Sequence, residues 1–347
     1  KFLSFEDPNL REFALTDPQG FLRMHANPYG LILDEFQYVP AIMSYLQLAV
    51  DSQSRPGYFV LTGSQNFLMN QAITQSLAGR VGILTLLPYS LHELRQHQLL
   101  PATANDLILQ GQYPRLYTEN LVPQQLYSSY IHTYLERDVR QLLNIGDLNL
   151  FQLFLRLCAG RIGQLLNLSD IAVSCGISVP TATKWLSVLE ASYICFRLMP
   201  YFKNFNKRIV HRPKLYFYDT GIAANLLGIN QLADLPTSTF LGALFENLLI
   251  ADFLKQFQNL GWRPSLYFWR DKNGHAEVDA LIEVASQQLF PVEMKASETI
   301  ASNNFFHSLE LWNKISGTLP EHNYVVYAGM ENQARSRGKI VSWRASG

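Results

Sequence analysis

A chain of 347 residues is longer than one hydrophobic core usually serves, which predicts two or three packed units. Hydrophobic residues make up 48% of the sequence and charged residues only 16%, which excludes a mainly disordered protein. The 28 basic and 28 acidic residues balance, so any nucleic-acid partner has to be argued from a local patch.

Cysteine usage and hydropathy indicate the compartment. Cys158, Cys175 and Cys195 are widely spaced and lack the spacing of zinc or redox motifs, which predicts a cytoplasmic protein. The uncharged stretches are too short or too broken by polar residues and proline to cross a bilayer. We therefore expect no membrane partner.

The first 95 residues alternate short apolar strands with helical stretches, which predicts an α/β fold with a parallel sheet. A strand at residues 31–33 runs into Asp34 and Glu35, and a helix is predicted at residues 40–49. A second strand, at residues 58–61, runs into Thr62, Ser64 and Gln65. Carboxylates at the carboxyl edge of a parallel sheet can hold Mg²⁺ and activate water, and polar groups beside them can sense a γ-phosphate. By itself, an acidic strand end is equally consistent with a purely structural role.

Several of these segments carry a family resemblance. Residues 31–40, 59–65 and 76–80, with Leu87-Pro88 and Glu93, resemble the prokaryotic ATP-binding proteins of the AAA+ superfamily that have a carboxy-terminal domain of unknown function. The resemblance implies ATP as cofactor, Asp34 and Glu35 as a Walker B element, and residues 62–65 as the sensor region. It also implies that Arg80 contacts nucleotide, either in its own subunit or in a neighbouring one of a homo-oligomer. Arg80 could equally cap a helix or pair with Glu93.

The sequence departs from that family at one motif. It contains no G-x-x-x-x-G-K-[ST] loop, whose backbone amides and lysine hold the β and γ phosphates of ATP. In the family this loop precedes the segment that corresponds to residues 2–8. We therefore expect an incomplete P-loop NTPase sheet at residues 1–95, with the P-loop supplied upstream. The alternative is a degenerate member that binds ATP poorly.

Residues 96–156 are rich in Leu, Gln and Tyr and read as helical, which predicts a helical lid or linker. Tyr127, Tyr130 and Tyr134 recur at helical spacing and are expected in a core.

Residues 157–235 follow a winged helix-turn-helix pattern. Ser169 is the expected cap of the first helix, Gly176 occupies the turn, and Ser178 with Pro180 begins a second helix that runs through Glu190. Residues 193–200 and 214–218 are the expected wing strands.

The wing region is cationic. No acidic residue occurs between Glu190 and Asp219, and aromatic residues are interleaved with the cations. We expect phosphate contacts, most simply to DNA, from Lys184, Arg197, Lys203, Lys207, Arg208, Arg212 and Lys214, with Thr183 and Ser187 beside Lys184. The alternative is a winged helix that docks protein.

Residues 236–347 predict a small α/β unit, with a helix at 242–255 and strands at 266–270, 276–284 and 289–295. A hairpin would bring Asp279 beside Glu293 and Lys295, because positions i and i+2 share a strand face. Two carboxylates can bind Mg²⁺ and an adjacent lysine can steady phosphoryl charge, which is the pattern of PD-(D/E)XK nucleases. Glu246 would be a further metal ligand. An ordinary ion pair on a solvated strand face is the alternative for Glu293 and Lys295.

The order of these elements is also similar to the carboxy-terminal domain of the AAA+ family named above, which implies a restriction-endonuclease-like fold. Glu277 could be another ligand, or could pair with Lys272 or water. The sequence thus favours a prokaryotic AAA+-type ATPase joined to a DNA-binding winged helix and a possible Mg²⁺-dependent nuclease domain. The alternatives are a non-enzymatic regulatory scaffold with degenerate sites, and a nuclease without a working ATPase.

Overall fold

A computed structural model describes residues 1–52, 55–63, 79–135, 147–201, 212–271, 274–284, 288–300 and 303–346. The chain divides into two compact units, residues 1–84 and residues 85–347. Five residues with a predicted nucleotide or nucleic-acid contact lie outside the described residues: Ser64, Gln65, Lys203, Lys207 and Arg208.

The first unit contains a parallel sheet, as predicted. Its described strands and helices, in chain order, are β1 (Phe2–Ser4), α1 (Pro8–Thr16), α2 (Pro18–His25), β2 (Leu31–Asp34), a 3₁₀ turn (Phe36–Tyr38), α3 (Ile42–Ser52) and β3 (Phe59–Leu61). The strands pair in the order β1-β2-β3, all parallel. Their carboxyl ends therefore meet at one edge of the sheet.

One face of this sheet carries the core of the first unit. Leu3, Leu31 and Leu33 are buried and join one cluster with residues of the three helices, among them Phe21 and Leu46. The opposite face differs, because side chains alternate along a strand. There Phe2, Ile32 and Val60 lie in register across the three strands and are exposed.

The second unit begins with helices in the described parts of residues 96–156, where the sequence predicts a helical stretch. Its helices are α4 (Leu91–Gln96), α5 (Ala104–Gln110), α6 (Arg115–Thr118), α7 (Pro123–Tyr130), a π-helical turn (Ile131–Leu135), α8 (Leu148–Ala159), α9 (Leu168–Cys175), α10 (Val179–Ala191), α11 (Thr220–Leu226), α12 (Leu241–Asn259) and α13 (His307–Ser316). Tyr127 is buried, which confirms its predicted core position.

The helix-turn-helix pattern produces two packed helices. Gly176 ends α9 in the left-handed conformation, and the Ser178 side chain caps α10 by accepting from the Thr181 amide. α9 begins at Leu168, one residue before the predicted cap Ser169. Ala182, Trp185, Leu186 and Leu189 are buried, and Thr183, Lys184 and Ser187 are exposed, as the helical spacing predicts. The outward face of α10 is therefore polar.

Two further sheets complete the second unit. Their strands are β4 (Cys195–Leu198), β5 (Lys214–Phe217), β6 (Leu266–Arg270), β7 (Glu277–Val284), β8 (Gln288–Lys295), β9 (Tyr324–Tyr327), β10 (Gln333–Arg335) and β11 (Gly338–Ser342). β4 and β5 pair antiparallel. The remaining strands form a mixed sheet in the order β10-β11-β9-β8-β7-β6, with β6, β7 and β8 as an antiparallel meander.

Helices cover both faces of the mixed sheet. α12 lies against β8 on one face, where Val292 and Met294 are buried. On the other face, Leu309 and Trp312 of α13 pack with Val278 of β7. This packing places β8 beside α12. None of the helices in the described ranges is long and apolar enough to span a membrane.

Candidate functional site

Two groups of residues predicted from the sequence come together in the structure, one in each unit. In the first unit, Asp34 ends β2 at the carboxyl edge of the parallel sheet. Ser4 Oγ, at the end of β1, donates to Asp34 Oδ2 at 2.9 Å, and the Thr62 hydroxyl, just after β3, donates to Asp34 Oδ1. The predicted meeting of Asp34 and Thr62 at this edge is confirmed.

Glu35 has a strained backbone. Its φ is 53°, in the left-handed region that a residue with a side chain rarely adopts. The side-chain nitrogen of Gln37, Nε2, donates to Glu35 Oε2. This hydrogen bond holds the Glu35 carboxylate beside the 3₁₀ turn. A carboxylate fixed this way next to Asp34 is suited to orienting water.

Arg80 forms an ion pair with Asp51 at the end of α3. Its Nε donates to Asp51 Oδ1 at 2.6 Å and its Nη2 donates to Oδ2 at 3.1 Å. The carboxylate of Glu93, the other partner considered for Arg80, instead caps α4 by accepting from the Ser90 amide and hydroxyl.

The second group lies where β7 and β8 meet α12; we call it the carboxylate centre, formed by Glu246, Glu277, Asp279, Glu293 and Lys295. Asp279 Oδ2 accepts from the Met294 amide at 2.7 Å, which ties β7 to β8 beside Glu293. Lys295 Nζ donates to Glu293 Oε1 at 2.5 Å. The hairpin thus brings Asp279, Glu293 and Lys295 together as predicted.

A strand from the preceding region also enters the carboxylate centre. Lys214 Nζ on β5 donates to Glu246 Oε1 at 3.0 Å and forms an ion pair with Glu277 Oε1. Tyr216, two residues on and therefore on the same strand face, donates from its hydroxyl to the same Glu246 oxygen at 2.5 Å. Arg270 contacts the other Glu277 oxygen at 3.4 Å. Glu277 therefore pairs with Lys214 and Arg270; Lys272 lies outside the described residues.

Lys214 corrects one expectation from the sequence. It was grouped with the cations that would contact phosphate, but its side chain is 2% exposed and faces the carboxylates. Burial lowers the pKa of Lys214, but the charges of Glu246, Glu277 and Asp279 outweigh burial and raise it. The ammonium group is therefore charged and inaccessible to nucleic acid.

Two carboxylates of the carboxylate centre, Asp279 and Glu293, have raised pKa values. Burial, together with the charges of Glu293 and Glu246, raises the pKa of Asp279 well above its usual range. Burial also raises the pKa of Glu293, against the opposing charge of Lys295. A positive charge placed beside these two carboxylates would favour their ionised forms and so lower both pKa values.

One buried carboxylate oxygen to which the described part of the chain offers no hydrogen-bond partner, here called an orphan acceptor, supports the binding of a metal ion at the carboxylate centre. Glu293 is 8% exposed, and its Oε2 is buried without a hydrogen-bond partner among the described residues. A buried carboxylate oxygen of this kind is an oxygen donor that Mg²⁺ or Mn²⁺ accepts. Across the described ranges, however, no three His, Cys, Asp or Glu side chains converge closely enough to hold a metal ion by themselves. The candidate ligands are Asp279 and Glu293, whose carboxylates supply the oxygen donors that such an ion prefers.

The predicted nucleic-acid contacts are only partly accessible. Lys184 and Arg212 are exposed. Arg197 forms a bidentate ion pair with Glu190 of α10, at 2.6 and 2.8 Å. Arg197 would therefore have to break a local pair in order to contact phosphate.

Comparisons with known proteins match three parts of the chain. Residues 1–95 match an AAA domain, residues 102–233 a Domain of unknown function (DUF8612), and residues 241–345 a Domain of unknown function (DUF4143). Uncharacterized proteins of Mycobacterium tuberculosis and Mycobacterium bovis are each 31% identical over 274 residues, which is 78% of this chain and 59% of theirs. The chain thus spans less than two thirds of the length of these relatives. No solved structure matches it. The matches at residues 1–95 and 241–345 support the identification of the chain as an AAA-like, ATPase-related protein.

Proposed function

We propose that this AAA-like protein carries a divalent-metal-dependent nuclease centre at Asp279, Glu293 and Lys295. The observation that carries the proposal is the orphan Glu293 Oε2, buried beside Asp279 while Lys295 occupies the other Glu293 oxygen. The arrangement combines an acceptor for a metal ion with a cation that can face a phosphate.

Each side chain has a distinct role in this proposal. A divalent cation held by Asp279 and Glu293 would polarise a phosphodiester and lower the pKa of a bound water. Lys295 is 34% exposed at its side chain, so its ammonium can reach a substrate phosphate while Glu293 orients it. The Met294 amide fixes Asp279 in place. Glu246 already accepts hydrogen bonds from Lys214 and Tyr216. In this proposal it therefore contributes negative charge near the metal ion and would contact the ion through water.

The test is a cleavage assay on the 347-residue chain with single- and double-stranded DNA and RNA, in Mg²⁺, Mn²⁺ or EDTA. We expect cleavage that requires metal and is lost when Asp279→Ala and Glu293→Ala are combined. Cleavage that persists in this double variant would come from a contaminant and would reject the proposal.

For the first unit, we propose that Asp34 and Glu35 form the metal-and-water half of an ATPase site, with Asp34 fixed by Ser4 and Thr62. The phosphate-binding half needs a glycine-rich loop with its lysine, which these 347 residues do not contain. ATP hydrolysis is therefore proposed for a longer chain that supplies this loop, and no hydrolytic step is assigned to the present residues.

We predict little or no affinity of the 347-residue chain for Mg-ATP, because no phosphate-binding loop is available to cradle the β and γ phosphates. Isothermal titration of Mg-ATP into the chain measures this directly. Tight, saturable binding would show that other residues replace the loop, and would contradict the prediction.

We also propose that the polar face of α10 contacts nucleic acid, most simply DNA. Lys184→Ala is expected to weaken DNA binding. It should also make the negative slope of the logarithm of the binding constant against the logarithm of salt concentration shallower by about 0.9, which corresponds to the loss of one phosphate contact. Lys314→Ala, an exposed lysine on α13, is the matched control and should leave the slope unchanged. Equal slopes for wild type and Lys184→Ala would favour a protein-docking role for these helices.

A non-enzymatic scaffold is the second candidate function. It is favoured by one observation: the ammonium group of Lys214 already neutralises part of the carboxylate centre. In that case the chain would bind nucleic acid or protein without cleavage in any metal, and the double alanine variant would bind as wild type does.

A further inference from the structure

The carboxylate centre contains a built-in cation. Lys214 Nζ bridges Glu246 and Glu277, with Asp279 close enough to raise its pKa further. Its side chain is 2% exposed, and the ammonium lies 5.4 Å from the centre of the Phe268 ring. The ammonium is therefore a buried part of the centre.

The two halves of the centre differ in how their negative charge is balanced. In the half formed by Glu246 and Glu277, Lys214 contacts both carboxylates. Tyr216 donates to the same Glu246 oxygen, and Arg270 contacts the second Glu277 oxygen. In the other half, Lys295 pairs with one Glu293 oxygen, and the second oxygen is buried without a partner. Only this second half presents an orphan acceptor among the described residues of the centre.

We propose that Lys214 occupies one of two cation positions in the centre, so that the centre accepts a single divalent ion, at Asp279 and Glu293. Like charges a few ångströms apart in a buried site repel strongly, so the ammonium opposes a second metal ion between Glu246 and Glu277. Removal of the Lys214 charge takes the ammonium away from Glu246 and leaves Glu277 with Arg270, so that both carboxylates become available as oxygen ligands. This inference rests on the proposed function for the divalent ion at Asp279 and Glu293. The exclusion of a second ion between Glu246 and Glu277 rests on the contacts of Lys214.

The number of bound Mn²⁺ ions per chain tests this proposal, with Mn²⁺ counted by electron paramagnetic resonance on the 347-residue protein. We expect one ion in wild type and two in Lys214→Met, which keeps the length of the aliphatic stem but removes the charge. Lys214→Arg keeps the charge and should bind one ion. Equal stoichiometry in wild type and Lys214→Met would overturn the proposal.

The outcome separates this inference from the nuclease proposal. If wild type binds no Mn²⁺ and Lys214→Met binds one, the metal site at Asp279 and Glu293 fails while the role of Lys214 stands. If Lys214→Met unfolds in EDTA, Mn²⁺ should restore its cooperative thermal transition, because a metal ion would replace the missing counter-ion. An unfolded Lys214→Met variant that Mn²⁺ does not restore would overturn the proposal.

Discussion

Asp279→Asn is expected to lower metal-dependent phosphodiester cleavage by about 100-fold or more. Even a change in the groups that surround metal ligands typically costs about 10- to 100-fold in affinity or activity, and the loss of a ligand charge should cost at least as much. The asparagine Oδ1 can still accept from the Met294 amide, so the β7–β8 contact is retained. The initial rate of cleavage in Mn²⁺ measures the effect.

Asp234→Asn provides a matched control, because Asp234 is exposed and lies outside the carboxylate centre. Its rate should equal that of wild type. A rate for Asp279→Asn within about threefold of the control would be well short of the roughly 10- to 100-fold loss given above, and would remove Asp279 from the metal site.

Lys255→Met is expected to destabilise the second unit by about 3–5 kcal/mol, the cost of leaving a buried charge without its partner. Lys255 is fully buried on α12 and donates to the Gln112 side chain at 2.9 Å and to the Tyr89 carbonyl at 3.1 Å. The buried carboxylates of Asp219 and Asp252 lie near it and interact with its charge. Their hydrogen bonds to backbone amides would remain, but their counter-ion would be lost.

Urea unfolding followed by far-UV circular dichroism measures this change. Lys184→Met, on the exposed face of α10, should change the free energy of unfolding by no more than about 0.5 kcal/mol. A similarly small change for Lys255→Met would mean that Asp219 and Asp252 are protonated and need no counter-ion.

The same lysine predicts a pH dependence. Burial lowers the pKa of Lys255 from 10.5 to about 8, against the opposing charges of Asp219 and Asp252. Between these two values the unfolded chain binds the proton that the folded chain has released, so the contribution of Lys255 to stability rises with pH. The difference in unfolding free energy between wild type and Lys255→Met should therefore increase from pH 8 toward pH 10.5. A difference that stays constant would contradict the lowered pKa.

Local patterns in the sequence predicted those parts of the sites that lie along single strands and hairpins. Strand alternation put Glu293 and Lys295 on one face, and a hairpin is sufficient to bring Asp279 to them. The parallel order of β1, β2 and β3 likewise follows from the alternation of strands and helices, and it brings Asp34 and Thr62 to one edge.

Contacts between distant segments were missed. Lys214 stands in a cation-rich stretch, so its sequence neighbours indicated a phosphate contact, yet 32 residues separate it from Glu246. Nothing local distinguishes a lysine that reaches solvent from one whose strand packs against a helix bearing an acid. One sequence feature could have indicated this contact. Lys214 and Tyr216 stand at positions i and i+2 of one strand, so both side chains lie on the same face and can contact the same acidic group.

The buried polar contacts of Lys255 are even harder to predict from the local sequence. Gln112, Asp219 and Lys255 come from three separated segments, and each is an ordinary polar residue in its own surroundings. The sequence does not indicate the partner of Arg197 either, because Glu190 lies just outside the cationic stretch and meets Arg197 only when β4 packs beside α10. Tertiary packing decided all of these contacts.

The central claim is that Asp279 and Glu293 bind a divalent cation, and Mn²⁺ binding to wild type and Glu293→Gln tests it most directly. Glutamine preserves the shape of the side chain and removes its charge. By isothermal titration we expect saturable Mn²⁺ binding to wild type, weakened about tenfold or more in Glu293→Gln. The absence of saturable binding in wild type, or equal affinity in the two proteins, would contradict the claim.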